Sequence, residues 1–108
     1  MASGSDFRSV GQTKLDSTGA GQVTLSPPGI EWNVTLTSVT VSSHVKEPTF
    51  RLYIDGVADL NFLEGSHAGS QDSSDTHHVV RAGQSLIGVW SGGDVGATAT
   101  LRVSGRVG

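Results

Sequence analysis

Apolar and polar residues alternate with period two along much of the chain, in segments too short for helices. The clearest case is 97–103, where Ala97, Ala99, Leu101 and Val103 share one face and Thr98, Thr100, Arg102 and Ser104 share the other. That pattern predicts a strand buried on one side. In 86–90, Leu86 and Trp90 fall on one face and Ile87 and Val89 on the other, which predicts a central strand covered on both faces, with Trp90 as a main core residue. A third apolar run, Val79-Val80, precedes them. Breaks at Ala82-Gly83-Gln84 and at the glycine-rich 91–96 separate the three runs, and the succession predicts a strand meander.

The same pattern, weaker, covers the rest of the chain. Residues 13–15 and 22–25 flank a loop of turn formers, 16–21, and predict a hairpin with Leu15, Val23 and Leu25 inward. Pro27-Pro28-Gly29 ends its second strand. From Ile30 runs the longest strand, with Ile30, Trp32, Val34 and Leu36 on one parity and Val39 and Val41 on the other, so a β-bulge is expected near Thr37-Ser38. Residues 42–48 form a polar turn. In 49–54, Phe50, Leu52 and Ile54 are inward candidates and Thr49, Arg51 and Tyr53 outward ones, with Asp55-Gly56 as the turn. The segment 57–76 is least regular: Leu60, Phe62 and Leu63 supply an apolar anchor, and 64–75 is a long polar loop or a weak edge hairpin. Residues 1–11, polar around Phe7, predict a flexible arm preceding a single domain over 12–108. Seven or eight strands without helical periodicity favour an all-β fold, an antiparallel β-sandwich or jelly roll, over a small closed barrel.

Composition sharpens this picture. Fifteen glycines, one Met and 16% charged residues among 108 suit short strands and tight turns. The length suffices for one core. Seven Lys and Arg against ten Asp and Glu, a net charge of -3 without a basic cluster, give a nucleic-acid backbone no electrostatic footprint. With no cysteine, disulfides and thiolate chemistry are excluded. No apolar run reaches the roughly 18 residues of a membrane helix, and the first ten residues lack a signal-peptide core, so a soluble product made in the cytoplasm is expected.

Candidate chemistry is sparse. His77 and His78 are adjacent in a predicted strand, so they point to opposite faces and cannot chelate one ion. Glu64, Asp72 and Asp75 could offer oxygen ligands to calcium, but Asp72-Ser-Ser-Asp75 lacks the alternate spacing and glycine of an EF-hand loop. Ser, His and Asp all occur between Ser66 and His78 without a Gly-x-Ser-x-Gly elbow. A glycosidase cleft needs paired carboxylates among aromatics, and four of the six aromatics here, Trp32, Trp90, Phe50 and Phe62, sit at core parity. Asn33-Val34-Thr35 matches a glycosylation acceptor but lies inside a strand. The expectation is a non-enzyme with no catalytic residue, metal or cofactor.

Several stretches together resemble small virion structural proteins of tailed phages infecting actinobacteria. They are the glycine-rich turn ending in Val23-Thr24-Leu25, Pro27-Pro28-Gly29-Ile30-Glu31-Trp32, Pro48-Thr-Phe-Arg-Leu-Tyr-Ile-Asp-Gly56, Asp72-Ser-Ser-Asp75, Ala82-Gly-Gln-Ser-Leu86, and Val89-Trp-Ser-Gly-Gly-Asp-Val-Gly-Ala-Thr-Ala-Thr-Leu101. The resemblance runs from Thr13 to Val107 and carries no catalytic residue. It implies a β-sandwich on the virion, a capsid decoration (cement) protein on the outer capsid surface that binds the major capsid protein and itself as a homotrimer. The alternative is a tail-tip module binding a host cell-surface glycan. Under either reading the arm, with Phe7 as anchor and Asp6 and Arg8 as flanking contacts, would be held by a partner, and Glu64, His67, Asp72, Asp75 and Asp94 are the loop candidates for attachment.

Overall fold

The period-two segments form eight strands in the computed structural model, which describes residues 6–27, 29, 31–43, 45–57, 59–66 and 71–107. They are β1 (Asp6–Lys14), β2 (Gly21–Leu25), β3 (Trp32–Val41), β4 (Thr49–Ile54), β5 (Phe62–Ser66), β6 (Gln71–Val80), β7 (Leu86–Ser91) and β8 (Thr98–Val107), with one 3-10 turn at Asp59–Asn61. They pair antiparallel in two four-stranded sheets, β1-β8-β3-β6 and β2-β7-β4-β5. The chain is an all-β antiparallel sandwich.

Chain order and sheet order part company. The C-terminal meander and the 13–25 hairpin do not form: β7 lies in one sheet with β6 and β8 in the other, and β1 and β2 face each other across the core. Only β4 and β5 are both consecutive and paired. Alternation correctly assigns which face of a strand is apolar, but that face is satisfied equally by a neighbour in the sheet or by a strand in the facing sheet.

The core lies between the sheets. Trp90, Leu52, Leu86, Leu101, Val34 and Val80 are fully buried, and the Phe50 ring meets Trp90 at 5.0 Å between centroids and 53° between planes. Leu15, Val23 and Leu25 are inward as expected. Tyr53, on the outward parity of β4, is buried nonetheless, because Phe62 covers it edge-on at 5.7 Å. The parity switch of β3 is present, but it falls at Thr35, between Val34 and Leu36, rather than at Thr37-Ser38. Leu36 therefore turns outward, 40% exposed, and Thr37 goes in. The cause lies opposite, at Gly105, where a Cβ would stand 2.0 Å from the Asn33 carbonyl oxygen, so only glycine lets the bulged strand approach.

The expected arm also changes. Residues 6–11 belong to β1, which starts at Asp6 and pairs with β8 at nine positions, and Phe7 stacks on Trp32 at 4.6 Å and 8°. The domain thus begins before residue 12, and residues 1–5 lie outside the described residues. Nine ladder positions and one aromatic stack offset the ordering entropy that a lone polar segment could not. Inward positions of β1 carry the small residues Ser9, Gly11 and Thr13 because β2 presses close: a Cβ on Gly11 would lie 2.4 Å from Val23 Cγ1.

Candidate functional site

Three features of the sandwich could meet a partner or perform chemistry: its two loop ends and the open side between β5 and β6. At one end, two aspartates organise the loops. The carboxylate of Asp94, after β7, accepts from Ser43 Oγ at 2.8 Å, Val45 N–H at 2.7 Å and Lys46 N–H at 2.9 Å, tying the β7–β8 loop to the β3–β4 loop. Asp16 accepts from Thr18 Oγ1 at 2.6 Å and from the amides of Thr18 and Ala20. The Gly93 amide then donates to the Gly19 carbonyl at 3.0 Å, joining this loop to the others. Both carboxyls are held below their ordinary value, Asp94 foremost by the Lys46 amide and Asp16 foremost by the Thr18 hydroxyl. Asp94, expected to serve attachment, shapes the loops of this end. What projects beside it is apolar, Val45 at 95% exposure and Val95 at 67%.

At the other end, Asp55 adopts a positive φ of 65° and accepts from the Ser85 amide at 3.0 Å and Gln84 Nε2 at 3.1 Å. Beside this end, Phe7, Arg8, Ser9, Ser26, Gly29, Trp32 and Val107 line a hollow of about 630 Å³.

The open side holds the densest polar group. The unpaired Leu63 sits between the pairs Tyr53–Phe62 and Leu52–Glu64, which aims Glu64 inward with Leu52. Its carboxylate crosses to the other sheet. Oε1 accepts from Thr37 Oγ1 at 2.9 Å, and Oε2 accepts from Thr76 Oγ1 at 3.0 Å and lies 2.6 Å from His78 Nε2, which is also 2.6 Å from Thr76 Oγ1. The His78 and Glu64 side chains keep only 14% and 22% of their exposure. A carboxylate can only accept, so Nε2 carries the proton in this bridge. A nucleophile relay needs one ring nitrogen toward the hydroxyl and the other toward the acid. Here both contacts fall on Nε2, so the geometry fastens two sheets and does not pass a proton.

The candidate attachment residues do not converge. Glu64 turns inward, Asp94 clamps loops, Asp75 is exposed on β6 opposite Leu36, Asp72 is on β6 opposite Val39, and His67 lies outside the described residues. Segment 64–75 is mostly strand, the end of β5 and the start of β6, in different sheets and so not a hairpin. His77 is exposed and His78 half-buried, on opposite faces. Among the described residues no group of three or more His, Asp or Glu is placed to hold a metal ion. The Glu64 bridge was missed because its members are scattered over residues 37, 64, 76 and 78. The usable signal was Thr76 and His78, two apart and hence on one strand face.

No protein-family model and no curated protein sequence matches the chain. Solved structures do share its fold. A chain of the acidic stable capsid structure of Helicobacter pylori bacteriophage KHP30 superposes with a TM-score of 0.64 at 12% identity, over 94% of this chain and 86% of that one. The Yersinia pseudotuberculosis-derived mitogen gives 0.51 at 10% identity over 94% and 86%. Dimeric latent PorU from Porphyromonas gingivalis gives 0.50 at 11% identity over 99% of this chain but 13% of its own. At these identities the likeness is one of fold.

Proposed function

We propose that this chain is a phage virion structural protein, a capsid decoration protein that binds the outer capsid surface through the major capsid protein and stabilises the head. The observation that carries this reading is the fold shared, nearly end to end, with a chain of a phage capsid structure. The strand order supports it: consecutive strands alternate between two four-stranded sheets everywhere except β4–β5, the wrapping that a jelly roll requires and viral capsid domains often use. The loop end clamped by Asp16 and Asp94 suits the role. Its exposed Val45 and Val95 are held by bonded loops, so docking there would order little that is not already ordered.

Adding the purified protein to undecorated capsids tests this. Co-sedimentation with capsids and a raised temperature of DNA release are expected, and a Val45→Asp, Val95→Asp double variant should lose both while remaining folded. Capsids that neither bind the protein nor gain heat resistance would overturn the reading. A second reading, glycan binding at the tail tip, is favoured only by the hollow lined by Phe7, Arg8 and Ser26. Trp90 and Tyr53 are buried and offer no face to a sugar ring. Glycan-array binding that vanishes in Phe7→Ala would support it.

A further inference from the structure

Among the described residues no strand pairs with the outer edge of β1, and from that edge we infer a self-pairing surface: two copies of this chain join antiparallel through β1 across a two-fold axis at Val10. The inference is independent of the capsid reading.

The direction of the backbone groups follows from the neighbouring bonds. Thr98 is opposite Lys14, yet its carbonyl accepts from the Ser42 amide at 2.9 Å and its amide donates to Ser42 Oγ at 2.8 Å, on the side away from β1. Leu15 instead donates to the Ala97 carbonyl at 2.9 Å. Lys14 therefore turns its own amide and carbonyl to the free edge, and strand alternation makes Gln12, Val10, Arg8 and Asp6 do the same. These five are also the exposed side chains of the strand. Paired about Val10, the strand is its own complement: Val10 meets Val10, Arg8 meets Gln12, and Asp6 meets Lys14 of the second copy. Every such pair is of the kind that exchanges two hydrogen bonds. Val10, 49% exposed in one copy, gains an apolar neighbour. Asp6, 3.8 Å from Arg106 on its own β8, gains a second cation. Other registers are poorer. Centring on Gly11 opposes Arg8 to Lys14, and centring on Ser9 opposes Arg8 to Val10 and leaves Lys14 beyond the ladder.

The remaining edges are blunted. Strands β2 and β5 have five residues each, and Pro27 closely follows β2. Strand β6 has a register shift against its neighbour and carries Asp72 and Asp75 without Lys or Arg. A nine-residue edge with no proline and no register shift is what natural sheets avoid leaving open.

Light scattering behind size exclusion on the full chain should give a dimer. Val10→Pro removes an amide that faces the free edge and should give a folded monomer, whereas Ser9→Pro removes an amide bonded to β8 and should unfold the chain. Lys14→Asp sets like charges opposite each other at both ends of the ladder and should weaken dimerisation about tenfold, with Asp6→Lys added to it restoring affinity. A monomer at all concentrations, a trimer, or a dimer that Val10→Pro leaves intact overturns the inference. Should Val10→Pro itself unfold, the charge-exchange series decides, and Lys14→Asp without effect on association overturns it.

Discussion

The two open sides of the sandwich are closed by opposite means. Between β1 and β2 the filling is apolar and tight: Val23 and Leu25 press on the bare α-carbon of Gly11, and Leu15 seals the end. Between β5 and β6, one carboxylate spans the gap and binds two hydroxyls and a ring nitrogen. Apolar closure stabilises through area removed from water and tolerates no change of volume. Polar closure adds little net stability but fixes one arrangement, since each buried donor left without Glu64 would be costly.

Substitutions can break or sharpen this contrast. Trp90→Ala, in the core that both sides share, should cost about 3–5 kcal/mol in a denaturant titration. A loss below about 1 kcal/mol would mean that Trp90 does not fill the core of the folded protein in solution. On the apolar side, Gly11→Val should cost about 1–3 kcal/mol by overpacking, because its side chain meets the buried Val23 and Leu25. If that variant were neutral, β1 and β2 would not be pressed together. On the polar side, Glu64→Ala should cost about 1–3 kcal/mol through the stranded donor of the buried Thr37, while Thr76 keeps His78 as a partner. In a double-mutant cycle with His78→Ala the two losses should fall well short of additive. Additive losses would dissolve the bridge as a unit.

The smallest effect belongs to the clamped loop end. Because Asp16 and Asp94 titrate below the 3.8 of a free carboxyl, their stabilisation is present above that pH and is lost as pH falls through their lower folded values. Asp16→Asn combined with Asp94→Asn should flatten the acid slope of the urea midpoint. An unchanged slope would show that other carboxyls set it.

The contrast also explains what the sequence discloses. Apolar closure is written as alternation, so β7, β8, the inward Leu15, Val23 and Leu25, and the buried Trp90 are all legible. β1 escapes because its inward positions are Ser9, Gly11 and Thr13, chosen for smallness beneath Val23 and not for apolarity. The β3 bulge was legible as a switch of parity but misplaced, since its position is set by Gly105, more than sixty residues away in the neighbouring strand β8 of the same sheet. Polar closure is least legible, because Thr37, Glu64, Thr76 and His78 meet only after three strands in two sheets, β3, β5 and β6, are assembled.

The place of β8 governs how the chain reaches this state. It lies between β1 and β3, so the first sheet cannot close until the strand that follows the other seven has been made. Until then β1 has no ladder partner, and every backbone pair that holds it in the sheet spans 84 residues or more of sequence. Such separation predicts slow folding, on the order of milliseconds to seconds for an all-β domain of this kind. It also predicts that nascent chains on the ribosome hold β1 and one flank of β3 open, a window in which crowding of newly made copies favours aggregation.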